Sequence, residues 1–328
     1  MSVPLSILDL ATTGRNETAR ESLEGTVALA RGAEQQGYKR VWYAEHHNIP
    51  GISSSATSVL IAHVAANTES IRLGSGGVML PNHPPLVIAE QFGMLATLHP
   101  GRIDLGLGRA PGSDQNTVRA LRRDALAADR FPHDVQELQG YLTGPTRVPG
   151  VNAYPGKGTN VPLYILGSSL FGATLAAALG LPYGFASHFS PPALEEAVAA
   201  YRREFRPSAQ LDRPYVIAGV NVVAADTSAA AQEQFAVVRR RRVALLLGAD
   251  GCSDDEAEML LSSARGRRLV QMMRYSAVGD PAEVKEYLDG FARHADADEL
   301  IVAHASPTVE GRLRSATLVA EVSDLLAA

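Results

Sequence analysis

Val41-Trp42-Tyr43-Ala44-Glu45-His46-His47 decides the fold: an apolar run that ends in a carboxylate and two adjacent imidazoles. Side chains alternate sides along a strand, so His46 and His47 point in different directions. A polar cluster at the end of a buried parallel strand is where barrel enzymes keep their chemistry. Similar runs recur along the chain. Strand-like segments cover 5–10, 40–43, 71–75, 103–107, 162–166, 183–186, 215–223 and 299–302. Helix-like segments cover 18–36, 56–66, 86–98, 171–179, 192–205 and 315–327. In the first of these, Leu23, Val27, Ala30 and Ala33 fall at helical spacing and Gly37 is the stop. Strands rich in Val, Ile and Leu without clean alternation fit a parallel sheet buried on both faces. Eight such units predict an α/β fold, a (β/α)8 TIM barrel.

Two intervals between strands, 107–162 and 223–299, are much longer than the rest. They are read as insertions after strands 4 and 7. Both begin at a strand's C-terminal end, where insertions become lids or binding loops. The second holds Arg239-Arg240-Arg241-Arg242 and the acidic stretch 254–258, and its part between 224 and 279 is the candidate lid. The arginine run reads as a solvated helix face. No compositional linker interrupts the chain, so 1–328 is expected to form one domain; two lobes joined near 145–160 are the alternative.

Hydrophobic residues make up 46% of the 328 and charged residues 20%, enough apolar material for a large core. The formal charge of −5 gives no reason to expect nucleic acid as a partner. Cys252 is the only cysteine, which excludes an intramolecular disulfide and a multi-cysteine metal site. The N-terminus has no basic residue before Arg15, and its apolar run is too short for a signal peptide. No stretch has the apolar length needed to span a bilayer, so a cytoplasmic protein is expected.

Three glycine-bearing segments end strands. Gly101 to Ser113 runs from strand into a glycine turn where Arg109 could clamp a phosphate with two parallel donors. Gly106-Leu107-Gly108 is followed by Gly112, one position too late for a dinucleotide fingerprint, and a tight turn with an exposed arginine is the other reading. Leu166 to Thr174 ends a strand and opens a helix, with Ser168 and Ser169 as N-cap candidates whose neighbouring amides could hold a phosphate. Gly167 and Gly172 have P-loop spacing, yet Ala173 stands where that loop needs lysine. Gly76-Gly77 leaves room for a flat ligand or an unusual peptide geometry. Glu45, His46, His47 and His83 could supply zinc ligands, but adjacent histidines chelate poorly and no H-E-x-x-H occurs, so no metal is expected. No G-x-S-x-G elbow and no paired glycosidase carboxylates are identifiable.

Taken together, 41–47, 76–84, 101–112 and 162–182 resemble the bacterial luciferase-like flavin monooxygenase family, nearest its alkanal-monooxygenase-like branch. The resemblance implies a (β/α)8 barrel, reduced FMN (FMNH2) as cosubstrate, O2 as oxidant, and a separate NAD(P)H:flavin reductase as supplier of the reduced flavin. It implies that a small organic substrate, aldehyde-like or otherwise apolar, is oxidised through a C4a-peroxyflavin. Arg109 lies where the family's arginine contacts the FMN phosphate, Ser169 matches its phosphate-binding hydroxyl, and the Gly172 amide lies nearby. Ser168 stands where luciferase has an acidic residue, Gly108 where it has a reactive cysteine and Gly112 where it has a tyrosine. Gly76 and Gly77 match the segment beneath the isoalloxazine, where relatives have a non-prolyl cis peptide, and His46 aligns with the catalytic histidine. A homodimer is implied by analogy. An F420-dependent hydride-transfer oxidoreductase and a non-catalytic flavin-binding protein remain as alternatives.

Overall fold

Nine parallel strands are present in the computed structural model, which describes residues 3–110, 114–123, 126–248 and 251–327. Gly112 and Ser113 of the glycine turn lie outside the described residues, as do positions 249 and 250 of the candidate lid. The strands are β1 (Leu5–Asp9), β2 (Arg40–Tyr43), β3 (Arg72–Met79), β4 (Ile103–Gly108), β5 (Leu163–Gly167), β6 (Tyr183–Phe185), β7 (Val216–Ala224), β8 (Ser276–Gly279) and β9 (Glu299–His304). Eight of them close a ring in the order β1-β2-β3-β4-β5-β6-β7-β9, with β9 returning to β1. The register at closure is direct: Ile7 lies opposite Val41 on one side and Val302 on the other. The predicted (β/α)8 barrel is thus found, with all eight expected strands in the ring.

β8 was not anticipated. It lies outside the ring and pairs with the upper half of β7, from Asn221 opposite Ser276 to Ala224 opposite Gly279. β7 is long enough for this because all nine of its residues are buried, the lower ones against β6 and β9.

Helices cover the outside of the ring. α1 (Ala19–Gln36) starts at a capping box of Thr18 and Glu21 and stops at Gly37, whose left-handed φ of 84° a side chain would resist. α2 (Thr57–Ala65) and α3 (Pro85–Leu98) fall within a residue of their expected bounds. The insertion after β4 holds α4 (Gln115–Ala120) and α5 (Phe131–Thr143). α6 (Leu170–Leu179) and α7 (Leu194–Glu204) follow β5 and β6. The insertion after β7 holds α8 (Ser228–Leu246), α9 (Asp254–Ser262), α10 (Ala264–Gln271), β8 and α11 (Pro281–His294). The last helix, α12 (Val309–Val322), begins six residues before the expected 315, because the Thr308 hydroxyl accepts the Gly311 amide and caps it there. Among the described residues no helix is long and apolar enough to cross a membrane.

Two cores result. The outer one, between ring and helices, includes Ile7, Val41, Leu73, Ile88, Phe92 and Val302. The inner one fills the barrel with Leu8, Trp42, Ala44, Tyr164, Ile217 and Ile301, with the Trp42 and Tyr164 rings edge to face at 4.8 Å. Beneath it a charged network plugs the N-terminal end. Arg40 pairs with Asp104 at 2.7 Å and with Glu299 at 2.9 Å. Lys39 reaches Glu299 at 3.0 Å, and the Tyr215 hydroxyl donates to it at 2.7 Å. Burial alone would raise the Glu299 carboxyl, but Arg40 and Lys39 reverse this and hold it below the usual range.

Candidate active site at the barrel mouth

Alternation along β2 turns Trp42 and Ala44 into the barrel, and His46 is the next position on that side. Its Nδ1 is buried and has no hydrogen-bond partner, while its backbone amide is held by the Ser54 carbonyl at 3.2 Å. Burial lowers the His46 pKa; the Arg242 charge and His47 add to this and Glu45 opposes it. The imidazole is therefore neutral at pH 7.

Glu45 and His47 turn the other way, as the alternation requires. The buried Glu45 Oε1 lies 2.7 Å from His47 Nε2 and 2.8 Å from His83 Nε2, and Oε2 accepts the Met79 amide at 3.0 Å. Burial would raise this carboxyl, but the His83, His47 and Met79 hydrogen bonds outweigh it and keep it ionised. These three side chains have the mutual spacing of a metal triad. Both imidazoles meet the same carboxylate oxygen at hydrogen-bond length, so the arrangement accounts for itself as a clamp between the loops after β2 and β3.

Above Trp42 the wall made by β3 and β4 is bare backbone. The Gly76–Gly77 peptide is cis. A Cβ on Gly76 would lie 2.7 Å from Leu8 Cδ1, one on Gly77 2.6 Å from the Gly106 carbonyl oxygen, and one on Gly106 2.3 Å from the Ser75 carbonyl oxygen. A side chain at any of these places would strike Leu8, Trp42, Leu166 or the neighbouring strand, so glycine is what lets β3 and β4 pack this closely at the mouth.

At the next two strand ends the other expected residues come together. Arg109 follows β4, is exposed, and stacks its guanidinium 4.1 Å from the centre of the Phe171 ring. Phe171 is the second residue of α6, and Ser169 is its N-cap. The Ser169 hydroxyl makes no capping hydrogen bond, so the first α6 amides are left for another acceptor. The Tyr183 hydroxyl donates to the Ser169 carbonyl at 3.1 Å and fixes the cap from behind. Ser168 is half-buried just before it, and Gly172 packs against the Tyr183 ring. His46, Gly76, Gly77, Arg109, Ser168, Ser169 and Gly172 thus lie at the C-terminal ends of β2 to β5, on one mouth.

Sequence reasoning missed the far side of this mouth. His188, in the loop after β6, places its ring where Gly219 of β7 has no side chain; a Cβ there would be 2.4 Å from Nδ1. Its carbonyl accepts from Asn221 Nδ2 at 2.6 Å, and its own Nδ1 is buried without a partner. Burial, with the Arg242 and His46 charges, lowers its pKa to about 3.

The arginine run is a correction: none of Arg239 to Arg242 is exposed. Arg239 stacks on Phe235, Arg240 faces Glu258 at 3.7 Å, and Arg241 donates to the Thr13 carbonyl at 3.1 Å and the Pro307 carbonyl at 3.5 Å. Those two carbonyls follow β1 and β9, so α8 crosses the mouth on that side. Arg15 in the loop after β1 also pairs with Asp254 at 3.2 Å. The signal was available: consecutive helical residues are about 100° apart, so four in a row cannot share one solvated face.

The luciferase-like monooxygenase family model matches residues 3–298. A luciferase-like monooxygenase of Escherichia coli (strain K12) is 46% identical over 329 residues, covering 99% of this chain and 98% of that one. The N-acetyl-S-alkylcysteine monooxygenase of Bacillus subtilis (strain 168) is 40% identical over 208 residues, 62% of each chain. Among solved structures, apo-MsnO8 superposes with a TM-score of 0.89 at 34% identity, covering 98% of this chain and 99% of that one. Two remoter structures share the fold. One is a type II Baeyer–Villiger monooxygenase of Pseudomonas putida in complex with FMN (TM-score 0.70, 15% identity, 97% of each chain). The other is an F420-dependent secondary alcohol dehydrogenase (TM-score 0.71, 13% identity, 98% of this chain and 99% of that one). The chain belongs to the luciferase-like monooxygenase family, and with it to the oxidoreductases.

Proposed function

We propose that this protein is an FMN-dependent monooxygenase that uses reduced FMN, delivered by a separate NAD(P)H:flavin reductase, and O2 to oxidise a small organic substrate. One observation carries the reading: an exposed arginine beside an uncapped helix start, a close-packed glycine segment and an inward imidazole without a protein partner share one barrel mouth. The residues present fit a flavin. Arg109, Ser168, Ser169 and the amides near Gly172 would hold its phosphate, and Gly76 and Gly77 would lie beneath its ring. The bound flavin supplies the oxygen chemistry.

The chain's own residues do the rest. His46 Nδ1, neutral at pH 7 and free of protein partners, accepts a proton from the substrate or hydrogen-bonds the reacting oxygen. Glu45 holds the loops that flank it through His47, His83 and the Met79 amide. α8 to α10 exclude water, tied down by Arg241 and Arg15. The curated relative named for N-acetyl-S-alkylcysteine favours an organic molecule of modest size as substrate.

Titration with FMN, riboflavin and F420, followed by oxygen uptake with reduced FMN and a substrate panel, tests this. FMN should bind most tightly, and uptake should rise with a true substrate. No affinity for any flavin in either redox state, or preference for F420, refutes it.

A further inference from the structure

His188 is the second histidine of the mouth, and contacts fix its place. Its ring lies over Gly219 of β7, where a Cβ would fall 2.4 Å from Nδ1 and 3.3 Å from Cε1. Gly219 pairs in register with Ile301 of β9, and Ile217 precedes it by two positions on β7. Both isoleucines belong to the inner core, so Gly219 faces the barrel interior and the imidazole covers that core from above. The loop is tied down around it. The Ser187 hydroxyl donates to the Gly219 carbonyl at 2.6 Å, Asn221 Nδ2 donates to the His188 carbonyl at 2.6 Å, and the Phe189 ring meets the imidazole edge to face at 5.1 Å.

The two ring nitrogens differ. Nδ1 is buried and has no partner. Nε2 also has no hydrogen-bond partner among the described residues, but it is not sealed off, and from inside the barrel it opens only on the mouth. Burial keeps the ring neutral, so it carries one hydrogen. On Nδ1 that hydrogen would be an orphaned buried donor. A bare Nδ1 instead faces the Gly219 Cα–H that lies in the Cβ direction, a weak donor. The hydrogen therefore sits on Nε2. His46 faces the same interior from β2, across β1 and β9. One neutral N–H matches a carbonyl oxygen, whereas a carboxylate suits a charged, forked donor.

We propose that His188 is a substrate-binding residue whose Nε2–H donates a hydrogen bond to a carbonyl oxygen of the substrate, fixing which end of the molecule faces His46. The consequence for turnover rests on the flavin reading of the same mouth; the hydrogen bond itself can be tested apart from it.

Nitrogen NMR on isotope-labelled histidines needs no ligand. The His188 signal, identified by its loss in His188→Gln, should report the Nε2–H tautomer near neutral pH. Calorimetry with and without FMN would then compare acetophenone and 2-heptanone with α-methylstyrene and 2-methyl-1-heptene, in which CH2 replaces the carbonyl oxygen. In His188→Leu the ketones should lose about twofold to tenfold in affinity and the alkenes little. His188→Gln keeps an N–H and should lose less. Gly219→Ala should act as His188→Leu does, because the added methyl displaces the ring. All three variants should bind FMN as the parent does. An Nδ1–H or cationic His188, no saturable ketone binding, equal losses for ketones and alkenes, full ketone affinity in Gly219→Ala, or loss of FMN affinity each overturns the proposal. The expected ketone result in a protein that takes no flavin would sink the flavin reading alone.

Discussion

Arg109→Ala separates a phosphate site from a tight turn that merely exposes an arginine. The guanidinium ends β4 in the open and rests 4.1 Å from the Phe171 ring centre, beside the uncapped start of α6. A hydrogen bond from it to a phosphate contributes about 1.5–3 kcal/mol, with exposure favouring the lower end. That is roughly a tenfold to hundredfold rise in Kd for FMN. The variant also loses the stack on Phe171, about 0.5–1 kcal/mol at an exposed site. That contact lies within the protein and is present with or without a ligand, so it cancels in binding and riboflavin affinity should change little. The quantity that decides is the FMN loss divided by the riboflavin loss, measured by flavin fluorescence at fixed ionic strength. It should be well above unity and shrink with added salt, whose screening length is about 8 Å at 0.15 M. Arg109→Lys should fall between, because an ammonium keeps the charge but not the fork. Equal losses for FMN and riboflavin would refute the phosphate role.

Other perturbations follow from the same geometry. His46→Ala should leave FMN affinity nearly intact while turnover falls about 10²–10⁴-fold, the usual worth of a positioned acid–base group; undiminished turnover removes His46 from the mechanism. Because Arg242 lowers the His46 pKa, Arg242→Gln should move the acidic limb of kcat/KM to higher pH, and an unmoved limb contradicts their proximity. Arg241→Ala frees α8 from the Thr13 and Pro307 carbonyls and should raise the peroxide released per O2 consumed; a constant ratio sinks the lid role of the insertion. His188 and His304 have folded pKa values of about 3, so the unfolded chain binds more protons below about pH 6.5. Stability is thus fully present above that pH and is lost as pH falls toward 3, by about 2 kcal/mol apiece near pH 5. Denaturant midpoints that do not change between pH 7 and 5 contradict this.

The ring was legible because most barrel strands are short apolar runs, several of them rich in Val, Ile and Leu; alternation showed that His46 and His47 diverge, and the family resemblance singled out His46. The Ser169 cap and the glycine wall were legible as residue types at strand ends. What was not legible depends on distant partners. β8 is four residues long and exists only because β7 continues past the ring. α11 carries a local signal in Asp280, Pro281 and Glu283, which form a capping box with proline in the first turn. That the arginine run is drawn onto the barrel instead of standing in solvent is set by hydrogen bonds from Arg241 to carbonyls 228 and 66 residues away. His188 needs the space left by Gly219, a pairing that no local pattern announces.

The two ends of the barrel interior are built from opposite materials, and the contrast explains how the site stays in place. Glycines at 76, 77, 106 and 219 give the mouth its shape but contribute no side-chain packing to hold it. Rigidity has to come from elsewhere. The Ser75 hydroxyl donates to the Gly106 carbonyl at 2.8 Å and ties β3 to β4 at the level of the glycine wall. Glu45 ties the loop after β2 to the one after β3. Below, Trp42 links the layers: its ring packs on Tyr164, its Nε1 donates to Asp104 at 3.1 Å, and its Cβ lies directly under Gly76. Removing one partner from a buried ionic network such as Arg40, Asp104 and Glu299 costs about 3–5 kcal/mol, because a charge is left stranded. That penalty makes the lower barrel discriminate sharply between correct and shifted strand registers. The bare mouth above can then be held to a ligand's shape without side chains of its own.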